Sequence, residues 1–349
     1  METQNSTKTA LITGAASGIG QELARLFAKD GYKLVLVDRN EEGMQVLANH
    51  FKNQYGLEAT LITKDLSDPK SPDEIYAEPG EKGLKIDVLV NDAGFGTYGK
   101  FATETDIETE LAIVQTNATA LMHLTKLYLK DMVERNNGKV LMLGSEVSVA
   151  PAPLQAVYGA TKAFIKSFAE AIRNELKGTN ITVTVLMPGA TNTNFFKTAG
   201  AENMKTADPS QTANPADVAK AGYEALMSGD DHVVAGWMNK VRVAFSHILP
   251  DPLVAAGVRS SSEPKDPEAE KQQKMITSII VGAAVLGGIW LLSRDRSVKG
   301  YAKSLPRKAK YQYKKTKAEW AANNALDSAT DSVKDTYKKA KSKVEDVLS

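Results

Sequence analysis

A doubly wound α/β fold, a parallel sheet of about seven strands covered by helices on both faces, is what this sequence predicts. Three observations carry that prediction. Short segments that are apolar throughout recur from residue 8 to residue 236. They alternate with segments whose apolar residues fall at threes and fours, the spacing of one helix face. Residue types that bind or react stand where the apolar runs stop: Gly14, Asp38, Asp65, Asn91, Ser145 and Pro188. Open parallel sheets take their ligands beyond those strand ends.

The first strand is KTALITG, residues 8 to 14, a partly β-branched run into glycine. From Gly18 to Asp30, Ile19, Leu23, Leu26 and Phe27 share a helical stripe. KLVLVD (33 to 38) is the second strand, Glu41 to Tyr55 a helix and ATLITKD (59 to 65) the third strand. IDVLVNDAG (86 to 94) is the fourth, and Asp106 to Glu134 one long helix. KVLMLGS (139 to 145) is the fifth, followed by a helix from Leu154 to Lys177. ITVTVLMPG (181 to 189) is the sixth, Pro215 to Met227 a helix, and DHVVAG (231 to 236) the seventh.

Composition sets limits on function. Among 349 residues, 43 Lys and Arg stand against 42 Asp and Glu, so no global charge draws the chain to nucleic acid. There is no cysteine, which excludes disulfides, thiolate-ligated zinc and thiol catalysis. His50, His123, His232 and His247 show no metal-ligand spacing. The opening METQNSTKTALITG has no long apolar run, so the folded part is expected in the cytoplasm.

Four parts are expected: a catalytic domain over 1–258, a linker over 259–274, a hydrophobic helix over 275–293 and a basic, helix-prone tail over 294–349. MITSIIVGAAVLGGIWLLS, 275 to 293, carries no charge. As a helix it spans roughly 28 Å, close to a bilayer core. Ala283 and Gly287 are small residues four apart, a spacing that lets helices approach in lipid. The segment is read as a membrane attachment. From Arg294 to Lys317 the chain is basic, with Asp295 the single acid. That block places the carboxyl-terminal flank in the cytoplasm, where the amino-terminal domain is also expected. Either the tail crosses despite its charge, or the segment is re-entrant or interfacial.

TGAASGIG, 13 to 20, joins the first strand to the first helix. Gly14, Gly18 and Gly20 let the backbone turn sharply and approach a phosphate. The helix start, from Ser17 through Ile19, offers unpaired N–H groups to an anion. Asp38, closing the second strand, has the chemistry to accept hydrogen bonds from an adenosine ribose. Arg39 has the charge to neutralise a 2′-phosphate instead. Asp38 would repel that phosphate, so NAD is slightly favoured over NADP.

AVYGATKAF, 156 to 164, puts Tyr158 and Lys162 one helical turn apart on one face. A free phenol ionises near about 10, and a neighbouring cation favours the phenolate. Lys162 is therefore expected to lower the pKa of Tyr158. Ser145, at the end of the fifth strand, offers a hydroxyl to the same reacting oxygen. Asn117 is unfavourable in mid-helix, a hint of a separate task.

TGAASGIG, NDAG (91 to 94), Asn117, Ser145, YGATK (158 to 162) and PGATNT (188 to 193) occur in an order and spacing that resemble the classical short-chain dehydrogenase/reductase family, over about residues 7 to 250. The resemblance implies a single-domain Rossmann-like fold and reversible hydride transfer between a nicotinamide and a carbonyl or alcohol. Tyr158 would be the acid and base, and Lys162 would also hold the nicotinamide ribose. Asn117 would anchor a water leading from Lys162 to solvent. Asp65 and Leu66 would meet the adenine, and Asn91, Ala93 and Gly94 the adenosine side. Pro188, Gly189, Thr191 and Thr193 would fix the nicotinamide carboxamide. Pairing of two copies through helices 106 to 134 and 152 to 177 is implied in the same way. Two departures stand out: Asp92 where asparagine is common, and Pro72, Pro79 and Gly80 breaking a helix expected over 69 to 83.

The substrate wall is expected over residues 190 to 260. Phe195, Phe196, Trp237, Met238, Val241, Val243, Phe245, Ile248 and Leu249 make it apolar. They suit a hydrophobic or lipid-like carbonyl or alcohol. The alternative is a membrane-tethered dinucleotide-binding scaffold without turnover.

Overall fold

Every residue of the strand Thr9–Thr13 (β1) is buried, which explains why its sequence shows no alternation. Both faces of that strand are covered. The computed structural model describes residues 8–246 and 250–264. Beside β1 lie β2 (Lys33–Asp38), β3 (Thr60–Thr63), β4 (Val88–Asn91), β5 (Gly138–Leu143), β6 (Ile181–Met187) and β7 (His232–Val234). They form one sheet in the order β3-β2-β1-β4-β5-β6-β7, and each pair is parallel.

The chain runs outward through β1, β2 and β3, then returns to place β4 on the other side of β1. Thr13 pairs with Asn91, so β1 and β4 end level. That reversal opens a crevice at their carboxyl ends, the place where such sheets bind ligands.

Helices α1 (Gly18–Lys29) and α2 (Glu41–Tyr55) cover one face. Leu23, Phe27, Met44, Leu47 and Phe51 pack there against Ala10, Ile12 and Leu36. On the other face, Leu124, Tyr128, Met132 and Ile165 pack against Leu11, Val35 and Leu89. They come from α5 (Leu121–Glu134) and α6 (Ala156–Glu175). Each apolar side chain in these layers contributes roughly 1.5–3 kcal/mol by leaving water.

Three elements differ from the sequence reading. Residues 71 to 81 do form a helix, α3 (Ser71–Glu81). Pro72 lies in its first turn, where the missing N–H breaks no bond. Pro79 lies near its other end, and Gly80 stays in the last turn. The helix expected over 106 to 134 is in three pieces: α4 (Ile107–Val114), a π turn (Gln115–Ala120) and α5. The stretch from residue 259, expected as linker, continues a helix through Ser262.

The remaining helices are α7 (Phe195–Thr198), α8 (Pro215–Ser228), α9 (Trp237–Ser246) and α10 (Asp251–Ser262). Leu111, Val114, Met122 and Phe164 leave apolar surface exposed on α4, α5 and α6, the helices implicated in pairing. No helix among the described residues is long and apolar enough to cross a membrane. The linker from Lys265, the segment 275–293 and the tail 294–349 lie outside the described residues. So do Ile248 and Leu249 and the side chains of Trp237 and Phe245.

Candidate active site

The turn between β1 and α1 is built by close approach. A Cβ on Gly20 would lie 2.4 Å from the Gly14 carbonyl oxygen and 2.6 Å from Oδ2 of Asp92, so only glycine fits. Gly14 has φ +71°, a left-handed conformation natural to glycine. Ser17 caps α1 without a side-chain hydrogen bond, so its hydroxyl leaves the first N–H groups of the helix uncovered. Ile19 turns into the core. This cradle fits a pyrophosphate.

At the edge of the crevice, Asp38 accepts from the Ala16 N–H at 3.0 Å and the Asn40 N–H at 2.9 Å. The carboxylate thus ties β2 to the glycine turn. Arg39 is exposed and lies 3.8 Å from Asp65. Asp65 also accepts from the Ser67 N–H at 2.9 Å, and Leu66 is buried beside it.

Across the crevice the NDAG turn divides its work. Asn91 points its amide into the core, donating to Thr125 at 3.0 Å. Any contact from Asn91 to an adenosine would therefore come from its backbone. The N–H groups of Asp92 and Ala93 both donate to Thr13 Oγ1 at 3.1 Å, locking the end of β4 to β1. Gly94 is exposed in the crevice. Its missing Cβ would lie 3.1 Å from Asn117 Oδ1 and 3.5 Å from Lys162 Nζ, so a side chain at Gly94 would crowd both groups.

Asn117 is buried in the π turn and holds the following loop on both sides. Its Nδ2 donates to the Phe95 carbonyl at 2.8 Å and its Oδ1 accepts the Phe95 N–H at 3.1 Å. It also donates to Thr161 at 3.2 Å.

Lys162 is buried at 3% exposure. Its Nζ donates to the Leu143 carbonyl at 2.7 Å and stands 5.6 Å from the centre of the Tyr158 ring. The Ser145 hydroxyl lies beside the Tyr158 phenol and favours its ionised form. The strand end, the π turn and one face of α6 thus bring Asn117, Ser145, Tyr158 and Lys162 together.

The electrostatics correct one expectation. Burial pushes Tyr158 up to about 12; Ser145 lowers it and the neighbouring charge of Glu146 raises it further. Lys162 does not reverse the rise. Burial lowers Lys162 itself to about 8, while the charge of Asp92 raises it. Desolvation outweighs the helical-turn neighbour on both groups.

The loop after β6 closes the far side. Pro188 accepts the Glu146 N–H at 2.8 Å, which fixes the turn carrying Ser145. A Cβ on Gly189 would meet Asn239 of α9 at 2.4 Å. Thr191 spends its hydroxyl on the Gly189 carbonyl at 2.9 Å. The Thr193 methyl reaches within 3.1 Å of where a Cβ on Gly18 would lie, facing the glycine turn. Phe195 lies 5.0 Å from the Tyr158 ring and 5.7 Å from Phe196. Tyr98, Met204 and Ala201 pack with them into an apolar lid.

Sequence reasoning missed Glu146, Arg242 and the Phe95–Tyr98 loop. A charged residue directly after the strand-end serine was the available signal for Glu146.

A family model described as short chain dehydrogenase matches residues 8–204. An NADP-dependent 3-hydroxy acid dehydrogenase, YdfG, from Salmonella typhi is 32% identical over 60% of this chain and 86% of its own length. A very-long-chain 3-oxoacyl-CoA reductase from Rattus norvegicus is 34% identical over 51% of this chain and 58% of its own. A short-chain dehydrogenase from Sphingobium yanoikuyae, solved with NADPH, is 26% identical with a TM-score of 0.61, covering 70% of this chain and 96% of that one.

Proposed function

The chain belongs to the short-chain dehydrogenase family of NAD(P)-dependent oxidoreductases, and on that premise we propose that it interconverts a hydrophobic or lipid-like carbonyl and its secondary alcohol, with Tyr158 as acid and base. The observation that carries the reading is the convergence of Ser145 and Lys162 on Tyr158, with Lys162 Nζ 5.6 Å from the centre of its ring. A phenol raised to about 12 is protonated at neutral pH, the form a carbonyl reduction draws on. Tyr158 gives its proton to the carbonyl oxygen and recovers one from the alcohol in the reverse direction. Ser145 holds that oxygen as charge develops on it. When bound, the nicotinamide supplies or accepts the hydride.

Gly14, Gly18, Gly20 and the helix start would hold the pyrophosphate, and Asp38 the adenosine ribose. NAD is slightly favoured, because an Asp38 carboxylate holding the ribose would repel a 2′-phosphate. Arg39 is the residue that would relieve that repulsion. The apolar lid of Phe195, Phe196, Tyr98 and Met204 supports a hydrophobic substrate. So does a relative named for very-long-chain substrates. The uncharged segment 275–293 supports association with a membrane, with the catalytic unit on the cytoplasmic side.

The test is a panel of ketones and secondary alcohols of increasing chain length, assayed with NADH and NADPH on the full chain. Tyr158→Phe should lose about 10²–10⁴-fold in kcat and keep its dinucleotide affinity. Unchanged turnover would remove Tyr158 from the mechanism. Firm dinucleotide binding with no turnover on any member of the panel would leave the scaffold reading in its place.

A further inference from the structure

We infer that Gly96 and Phe195 are positioning residues for Tyr158: the bare backbone of one and the ring of the other close on the base of the phenol ring and fix where its oxygen stands. The inference rests on the reaction proposed above.

Gly96 is buried. A Cβ there would lie 3.2 Å from Cδ2 and 3.3 Å from Cγ of Tyr158, and 3.1 Å from Cζ of Phe195. Only the missing side chain leaves room for both rings to meet at that point. Phe195 arrives from a separate element, α7, with its ring centre 5.0 Å from that of Tyr158 and 51° between the planes. Neither wall is loose. Asn117 grips the main chain of Phe95 through both its N–H and its carbonyl, one residue before Gly96. Asn117 also donates to Thr161, whose hydroxyl donates to the Tyr158 carbonyl at 2.7 Å. One buried side chain thus ties the Gly96 segment to the turn of α6 that carries Tyr158. On the other wall, the Phe195 N–H donates to Thr193 Oγ1 at 3.3 Å and its carbonyl accepts the Ala199 N–H at 2.9 Å. Phe196 packs against the Phe195 ring at 5.7 Å.

The consequence is mechanical. Carbon atoms rest at about 3.5–4.0 Å, so a methyl at residue 96 is too close to both rings and one of them must give way. Cγ of Tyr158 lies next to the bond about which the side chain swings. A small push there grows toward the tip of the ring, where the phenolic oxygen is. Misplacing a reacting group by about 1 Å can cost about 10²-fold in rate. The push also needs the second wall. A leucine at residue 195 ends two bonds short of Cζ and frees the space that the methyl requires.

The experiment compares wild type, Gly96→Ala, Phe195→Leu and the double variant, each as the full chain, with the best substrate of the ketone panel. Gly96→Ala should lower kcat roughly three- to tenfold, while KM for the ketone and Kd for the dinucleotide stay within about twofold. Phe195→Leu alone should lower kcat less. The double variant should recover at least half of the loss, on a logarithmic scale, that Gly96→Ala causes. Two independent fold defects would instead multiply their losses, so the recovery and not the single loss is decisive. An unchanged kcat in Gly96→Ala overturns the inference, as does a loss confined to KM or a double variant slower than Gly96→Ala. If the chain turns over no ketone, crystal structures of the four proteins with NADP+ bound replace kinetics. A Tyr158 oxygen displaced in Gly96→Ala and returned in the double variant upholds the inference even though the proposed reaction fails. An oxygen that stays in place, or that the second substitution does not return, overturns it.

Discussion

At the residue scale, Asp92 shows how packing turns a small sequence departure into a titrating group. An asparagine there would be neutral at every pH. The carboxylate is 8% exposed, lies against Gly20 and leaves Oδ1 without a hydrogen-bond partner among the described residues. Burial pushes it up to about 7, although Lys162 and the Gly20 N–H pull it down. An unfolded aspartate ionises near about 3.9. Between those two values the folded chain holds a proton that the unfolded chain has lost. Stability from this group is thus fully present at low pH and is lost as pH rises through 7. Asp92→Asn removes that loss. Its Tm gain over wild type should be larger at pH 8 than at pH 5, by about 4 °C. Lys162 loses a counter-charge in the variant and takes back part of the gain. Thermal scans at the two pH values check this, and equal gains would refute it. The same contrast marks what the sequence made legible here. Asn117, Ser145, Tyr158 and Lys162 were readable as types at spacings. The sign of the shift on Tyr158 was not, because a spacing of four says nothing about how much water the fold removes.

At the element scale, helices and strands were legible wherever periodicity decided them, and the exceptions are local. The π turn at Asn117 adds one residue to a helical turn, and the hydrophobic period on either side is too short to reveal the slip. Pro79 was read as a breaker, yet near a helix end the interruption it causes is small. The lid was visible as aromatic residues, but its attachment was not. Met204 bridges Pro264 across the antiparallel pairing at the end of α10, and the Lys205 N–H donates to the Glu263 carbonyl at 3.4 Å. Lys205 Nζ reaches the Ser260 carbonyl at 3.3 Å. The charges of Glu263 and Arg259 also bear on Tyr98, which belongs to the lid. A chain ending at Arg259 loses these ties, whereas one ending at Pro264 keeps them. Each lost hydrogen bond is worth about 0.5–1.5 kcal/mol, so the shorter chain should show about a tenfold higher KM for apolar substrates. It should also be cut faster by protease between residues 195 and 210. Equal KM and equal cleavage in the two chains would show that the ties do not hold the lid.

At the scale of the whole molecule, the site lies where the strand order reverses, between β1 and β4, and that reversal was implicit in the order of motifs. The glycine turn follows β1 and the NDAG turn follows β4, so two distant stretches had to become neighbours. The remaining distinctive feature is the carboxyl-terminal 275–293 segment, whose expected role rests on its uncharged sequence and the basic block after it. Two physical modes of membrane attachment separate cleanly. Basic residues hold an anionic surface through charge, which about 1 M salt screens almost completely. An inserted apolar segment is indifferent to salt, because its driving force is the removal of hydrocarbon from water. Residues 1–264 form a compact unit of their own, so a chain ending at Pro264 is a fair control. The full chain should sediment with membranes and stay there in high salt, while the control remains in the supernatant. Release of the full chain by salt would assign attachment to the basic block alone, and a full chain found in the supernatant from the start would end the membrane reading. Protease added to sealed vesicles then decides between the two topologies. Digestion of the catalytic unit and of the tail past Arg294 from the same side means a re-entrant or interfacial segment, and protection of the tail alone means a single crossing against the charge rule.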